Sequence, residues 1–185
     1  MQRCDWTYSG STDQLYQDYH DYEWGKLNLD EEYLFEMLIL ESFQSGLSWS
    51  TILHKRENFR EAFANFNVDK VAQFGEEDFE RLINDAGIIR NKLKINAAVN
   101  NAKILRDWHK NGKSLAKFLQ SYIPEPIIHH PQTMSDIPAK TDLSTQISKD
   151  MKKADFKFVG PTTVYSFLQA IGLVNDHLEK CDFKY

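Results

Sequence analysis

The stretch Asp30-Glu31-Glu32-Tyr33-Leu34-Phe35-Glu36-Met37-Leu38-Ile39-Leu40-Glu41-Ser42-Phe43-Gln44-Ser45 decides the fold class. Asp30 has the side chain that accepts from the free N–H groups of a helix start. Leu34, Phe35, Met37, Leu38, Ile39 and Leu40 then spread apolar surface nearly all round a helix reaching about Ser45, the pattern of a helix buried at the centre of a bundle. Glu41 falls in register with Leu34, Met37 and Leu38. Burying a carboxylate without a partner costs on the order of several kcal/mol. Such a group either ties helices together through a backbone N–H or an arginine, or it serves a ligand; spacing leaves both open.

Working outward, helical periodicity recurs on both sides. Ser48 or Ser50 opens a helix in which Ile52, Leu53, Arg56, Phe59 and Phe63 return at three and four. Asp69 begins a short helix through Phe74, and Glu76 to Asp85 forms another, closed by Ala86-Gly87. A basic helix runs from about Arg90 to Lys110, where Leu93, Ala97, Ala98, Ala102, Leu105 and Trp108 form the apolar set and Arg90, Lys94, Lys103, Arg106 and Lys110 face solvent. Ser114 to Tyr122 and Asp142 to Lys153 are helical. A last helix has Pro161 at its first position and Gly172 at its end. Pro124, Pro126, Pro131 and Pro138 mark an irregular linker around 123–139. No alternating run of β-branched residues is long enough for a sheet, so an all-α chain is expected.

A length of 185 residues fits one domain, 1–185, with room for two helical lobes either side of that linker. With 42% hydrophobic and 13% aromatic residues, the chain is too apolar to be disordered. No run of 18 apolar residues occurs and the start lacks a signal-peptide core, so no membrane association and a cytoplasmic location are expected. The formal charge of −5 speaks against a nucleic-acid partner only as an average. Residues 1–41 hold two basic against ten acidic side chains, whereas residues 86–117 hold eight against one. Local potential attracts a polyanion, so this basic block is either a phosphate-facing surface or an ordinary solvated helix face.

Three further groupings carry chemistry. The acidic N-terminal segment is dense in aromatics, Trp6, Tyr8, Tyr16, Tyr19, Tyr22, Trp24, Phe43 and Trp49. These are core, or they hold a flat cation by stacking and Coulomb attraction. Cys4, His20, His177 and Cys181 include the chain's only two cysteines. Two sulfurs and two imidazoles can close a tetrahedral zinc site with no open position, and His177 and Cys181, four apart, would share a helix face. Phe156-Lys157-Phe158-Val159-Gly160-Pro161-Thr162-Thr163 turns into a helix mouth whose free N–H groups and hydroxyls suit a phosphate, although an ordinary helix start reads the same way.

Together these residues resemble the 3-methyladenine DNA glycosylase I family of the helix-hairpin-helix DNA glycosylase superfamily. The resemblance runs through Arg3-Cys4-Asp5-Trp6, Tyr19 to Gly25, Leu34 to Met37, Leu40-Glu41, Gly46 to Trp49, Lys55 to Arg60, Asp85 to Arg90, Phe156 to Pro161 and Gly172 to His177, in order along nearly the whole chain. It implies a helix-hairpin-helix fold whose N- and C-terminal segments meet at a structural zinc, one per chain, on Cys4, His20, His177 and Cys181. It implies a monomeric DNA repair enzyme that flips out and hydrolytically excises 3-methyladenine, and less efficiently 3-methylguanine, from alkylated double-stranded DNA. In the family, the position of Glu41 hydrogen-bonds the extruded base, those of Tyr19 and Trp49 stack on or wall it, and Trp6, Tyr16 and Trp24 lie nearby. The hairpin, with Lys157, Gly160, Thr162 and Thr163, grips the DNA backbone.

Departures from the superfamily sharpen the expectation. Members that form a covalent imine carry a lysine where this chain has Thr162, which implies a monofunctional enzyme leaving an abasic site. Many members have glycine at the position of Phe158. The aspartate that assists water in other members is regarded as missing from this family, so Asp176 is given no catalytic role. A module that binds damaged DNA without turnover is the alternative of a different class.

Overall fold

The computed structural model describes residues 1–8 and 13–185, in which helices follow one another as α1 (Gln14–Tyr22), α2 (Glu31–Gln44), α3 (Trp49–His54), α4 (Arg56–Ala62), α5 (Val68–Val71), α6 (Glu76–Asn84), α7 (Lys92–Lys110), α8 (Leu115–Gln120), α9 (Asp142–Lys153) and α10 (Pro161–Ala170). The expectation of a helical protein holds, and α2 is its axis. Asp30 caps it, its carboxylate accepting from the Tyr33 N–H at 3.0 Å. All residues from Leu34 to Phe43 are buried. Around them pack Phe59, Phe63 and Phe66, with Phe43 and Phe59 edge-on at 4.9 Å.

Most helix ends fall where their caps stand. Ser48, not Ser50, opens α3, its hydroxyl accepting from Thr51 N–H at 3.1 Å. Asn91, Ser114 and Thr141 cap α7, α8 and α9. Several expectations are corrected. The helix drawn from Ser48 through Phe63 is two, broken at Lys55, which ends α3 and begins α4. The short helix expected from Asp69 begins instead at Val68, because Asn67 supplies its cap.

The third correction concerns sheet structure. Two strands of two residues each, β1 (Ile127–Ile128) and β2 (Val174–Asn175), pair in parallel, Ile127 opposite Val174 and Ile128 opposite Asn175. Each is far too short to show alternation, yet the ladder clips the proline-rich 123–139 stretch onto the segment after α10. Gly172 makes that segment possible. It lies at φ +76°, and a Cβ there would meet the Lys26 carbonyl carbon at 2.1 Å, so the backbones of two segments touch where only hydrogen fits.

Within α7 the expected face holds at Ala97, Ala98, Ala102 and Leu105, which are buried, but its first turn departs. Leu93 is 69% exposed, whereas Lys94 is buried. The Lys94 ammonium donates to the carbonyls of Phe43 at 2.8 Å and Ser45 at 2.6 Å, closing the C-terminal end of α2. A lysine therefore sits inside because it satisfies helix-end carbonyls that have no other partner. Arg56, in the apolar register of α4, is buried for a similar reason. It donates to Glu23 at 2.8 Å and also pairs with Glu36, which binds α1, α2 and α4 together.

Candidate functional site

Glu41 is 5% exposed on the last turns of α2, and its Oε2 has no hydrogen-bond partner among the described residues. Neither of the structural ties that a buried carboxylate could make is present, since Arg56 is committed to Glu23 and Glu36. Burial alone pushes the Glu41 carboxyl up to about 8. A group in that condition is stabilised by an incoming cation or hydrogen-bond donor.

The cavity it faces has a volume of about 200 Å³ and is lined by Tyr19, Trp49, Trp6, Tyr16 and Trp24 together with Glu41. All six base-site residues expected from the sequence thus surround one hollow. Tyr19 and Trp49 lie 5.1 Å apart, tilted by 45°, and Trp6 meets Tyr16 at 5.0 Å and Trp24 at 5.3 Å, both edge-on. The aromatic cluster is core and wall at once. Tyr19 is buried, and Trp6, Tyr16 and Trp24 keep part of their surface open. Burial, reinforced by the Glu41 charge, holds the Tyr19 hydroxyl well above its usual range, so it stays a neutral donor. The Trp49 Nε1 is a second buried polar atom without a partner. Aromatic faces, a carboxylate and unused donors together suit a flat, positively charged heterocycle. A larger groove of about 640 Å³ lies between α6 and α7, lined by Phe74, Phe79, Ile95 and Val99 among others. It contains neither unpartnered atom, so the chemistry lies in the smaller hollow.

The turn between α9 and α10 opens beside that hollow. Thr162 and Thr163 line a cleft of about 280 Å³ with Ser45, Gly46 and Leu47, and Glu41, Gln44 and Ser166 border both spaces. The turn is fixed from α7, where Asn101 accepts from Lys157 N–H at 2.9 Å and donates to Lys157 O at 3.0 Å. Ser148 on α9 donates to Val159 O at 2.6 Å. Phe158 adopts φ +54° there, a conformation that costs a non-glycine residue about 1–2 kcal/mol. The backbone path therefore keeps the shape that glycine would favour although the side chain is phenylalanine. Lys157 and Thr162 are exposed and Gly160 and Thr163 are half-buried, so this whole set can be reached from outside.

At the opposite side of the aromatic wall, the donor atoms of Cys4, His20 and Cys181 lie within 4.8 Å of one another, all buried. Asp21 holds His20 Nδ1 at 2.7 Å and is itself gripped by Arg3, which leaves His20 Nε2 turned to the sulfurs. A carboxylate behind the imidazole is how metal-ligating histidines are commonly oriented. Burial, reinforced by the neighbouring Cys181 and Asp5, pushes the Cys4 thiol up to about 12, a cost that a cation between the sulfurs would reverse. His177 is placed differently from the expectation. The segment after β2 is not helical, so the four-residue spacing to Cys181 puts nothing on a helix face. Its ring lies edge-on to His20 at 4.8 Å, with Nδ1 at 2.9 Å from Asn175 Oδ1 and Nε2 at 3.3 Å from the His20 carbonyl. Burial lowers its pKa to about 4, so it is a neutral imidazole. The residues present fit a metal: two sulfurs and the His20 imidazole converge, and a second imidazole, His177, lies against His20.

The family described as methyladenine glycosylase matches residues 6–185. The chain belongs to that family. It is 48% identical over 182 residues to the Escherichia coli protein DNA-3-methyladenine glycosylase 1, covering 98% of this chain and 96% of the relative. A crystal structure of 3-methyladenine DNA glycosylase I superposes with a TM-score of 0.94 at 47% identity, covering 98% of each chain. A variant of such an enzyme in complex with 3-methyladenine superposes with a TM-score of 0.93 at 40% identity, covering all of this chain and 98% of the other. Membership places the hollow in an enzyme family, and it draws attention to lining residues that sequence reading missed. Gln44, Met134, Ile137, Ser166 and Gln169 also face the base-sized space. Gln44 and Ser166 share helices with residues already singled out and were within reach of a helical-face argument. Met134 and Ile137 come from the 123–139 stretch, and nothing local marks them.

Proposed function

We propose that the chain removes 3-methyladenine from alkylated duplex DNA by hydrolysing the bond between the base and its sugar. The observation that carries this reading is the buried, unpartnered Glu41 carboxyl among aromatic walls. An N3-methylated adenine in DNA carries positive charge, and ordinary adenine does not; an acidic aromatic hollow prefers the former by Coulomb attraction and cation–π contact. The base reaches the hollow by leaving the stack, at a cost of a few kcal/mol by order of magnitude.

In the proposed reaction, Tyr19 and Trp49 wall the base, Trp6, Tyr16 and Trp24 close the hollow, and Glu41 takes the base's donors and steadies its charge. A water oxygen bonds to the sugar C1′ as the C1′–N9 bond breaks. The bonding pair passes to N9 and neutralises the base, and the water's proton goes to solvent. Because the leaving base is neutral, positioning and exclusion of water from the wrong faces supply much of the acceleration. With Thr162 at the position where imine-forming superfamily members carry lysine, no covalent imine forms and an abasic site remains. We further assign phosphate contact to Lys157, Gly160, Thr162 and Thr163, the helix-hairpin-helix role, and a weaker activity on 3-methylguanine. Cys4, His20, His177 and Cys181 would hold one zinc, which supplies a structural cross-link and no open position for chemistry. The whole chain acts as a single monomeric domain on cytoplasmic DNA; none of its described helices is long and apolar enough to cross a membrane.

The direct test is to incubate methylated duplex DNA with the protein and quantify free bases. Release of 3-methyladenine above background is expected. Binding of the DNA without release would replace this reading with that of a damage-binding module.

A further inference from the structure

Asp176 lies outside the roles given so far. Its side chain is 1% exposed, and three donors converge on it. Tyr165 Oη donates to Oδ2 at 2.6 Å, Gln169 Nε2 donates to Oδ2 at 2.7 Å, and His129 Nδ1 lies 2.6 Å from Oδ1. His129 arrives there through the short parallel ladder, where its N–H donates to Asn175 O at 3.0 Å. The cluster is a positioning device, because one of its members, Gln169, also lines the base hollow. A carboxylate already receiving donors cannot take the oxygen end of an amide. Asp176 therefore compels the Gln169 amide to turn Nε2 toward it, which leaves Oε1, with no partner among the described residues, as the end available to the hollow.

We infer that Gln169, oriented by Asp176, reads the substituent at purine C6 and sets the preference for 3-methyladenine over 3-methylguanine. This rests on the glycosylase reading above. Adenine carries an amino group at C6 and guanine a carbonyl oxygen. Glu41 and Gln169 both present acceptors to the hollow. An amino group satisfies them; a carbonyl oxygen at the same place faces acceptors and leaves them unpaired after desolvation. Sites built around a hydrogen bond discriminate in this way far better than sites built on size. Asp176 touches neither substrate nor reacting atoms, and its part is to hold the amide's polarity.

Two variants and one ligand pair test the inference. Gln169→Met keeps the volume and removes the acceptor. On methylated duplex DNA it is expected to lower kcat/KM for 3-methyladenine about tenfold, the value of one lost neutral hydrogen bond. Release of 3-methylguanine should change little, so the ratio between the two bases falls about tenfold. Asp176→Asn, whose amide NH2 can donate to the oxygen end of Gln169, should shift the same ratio in the same direction. A folding defect alone would lower both rates together and leave the ratio where it was. The wild-type protein provides a measurement that needs no variant: by calorimetry it should bind 3-methyladenine about tenfold more tightly than 3-methylhypoxanthine, which differs by a C6 oxygen. An unchanged ratio in folded Gln169→Met, or equal wild-type affinity for the two free bases, overturns the inference. Absence of any 3-methyladenine release by the wild type would instead overturn the glycosylase reading, and the free-base comparison would still decide whether the hollow reads C6.

Discussion

At Glu41 a single carboxyl couples stability to recognition. Folding raises its pKa from 4.5 to about 8 through burial. An acid raised on folding contributes its stability fully below its unfolded value, and loses that contribution as pH climbs through the folded value. Stability should therefore decline between about pH 4.5 and pH 8 on account of this group. Glu41→Gln removes the titration while keeping the shape. Relative to the wild type, the variant should gain a few kcal/mol by order of magnitude as pH rises to 8 and no more beyond it. Urea unfolding at pH 5, 7 and 9 checks this, and parallel wild-type and variant curves would contradict it. The same variant should lose most affinity for the cationic base. Glu41 was legible in the sequence because a charge stands out in an apolar register. Gln169, Asp176 and His129 were not, because their partnership joins positions 47 apart through a two-residue ladder.

Among the elements, helix ends were the most readable features, since Asp30, Ser114 and Gly160-Pro161 act on their own neighbours. Faces were harder to read. Leu93 and Lys94 exchange their expected places because the end of α2 needs donors and an ammonium on α7 can reach them, a demand invisible from within α7. That contact also sets the Ser45-Gly46-Leu47 turn, which lines the cleft beside the hollow. Replacing the amine by an apolar chain, Lys94→Met, strands two carbonyls and should cost about 1–3 kcal/mol. The melting temperature should fall by several degrees, and excision should slow beyond what the residual folded fraction explains, because the turn beside Glu41 loosens. Calorimetry alongside the base-release assay separates the two effects; a variant as active per folded molecule as the wild type would show that the turn holds itself.

Over the whole molecule, the Cys4, His20 and Cys181 cluster draws the N-terminal segment, α1 and the C-terminal segment together. Asp182 N–H donates to Gln2 O at 2.9 Å, and Gln2 N–H donates to Asp182 Oδ2 at 2.7 Å beside it. If a metal holds this junction, a strong chelator should lower the melting temperature and expose both segments to protease while α2 stays protected. Metal analysis of protein prepared without added zinc should give about one ion per chain. A ratio near zero with freely titrating thiols would remove the site. The aromatic wall between this junction and the hollow has a practical consequence. Three of the chain's four tryptophans, Trp6, Trp24 and Trp49, line the hollow, and Trp108 packs apart against Phe118 and Phe156. Most of the intrinsic ultraviolet emission thus originates where a base would stack, so the protein carries its own optical gauge of occupancy, with Trp108 as the internal reference.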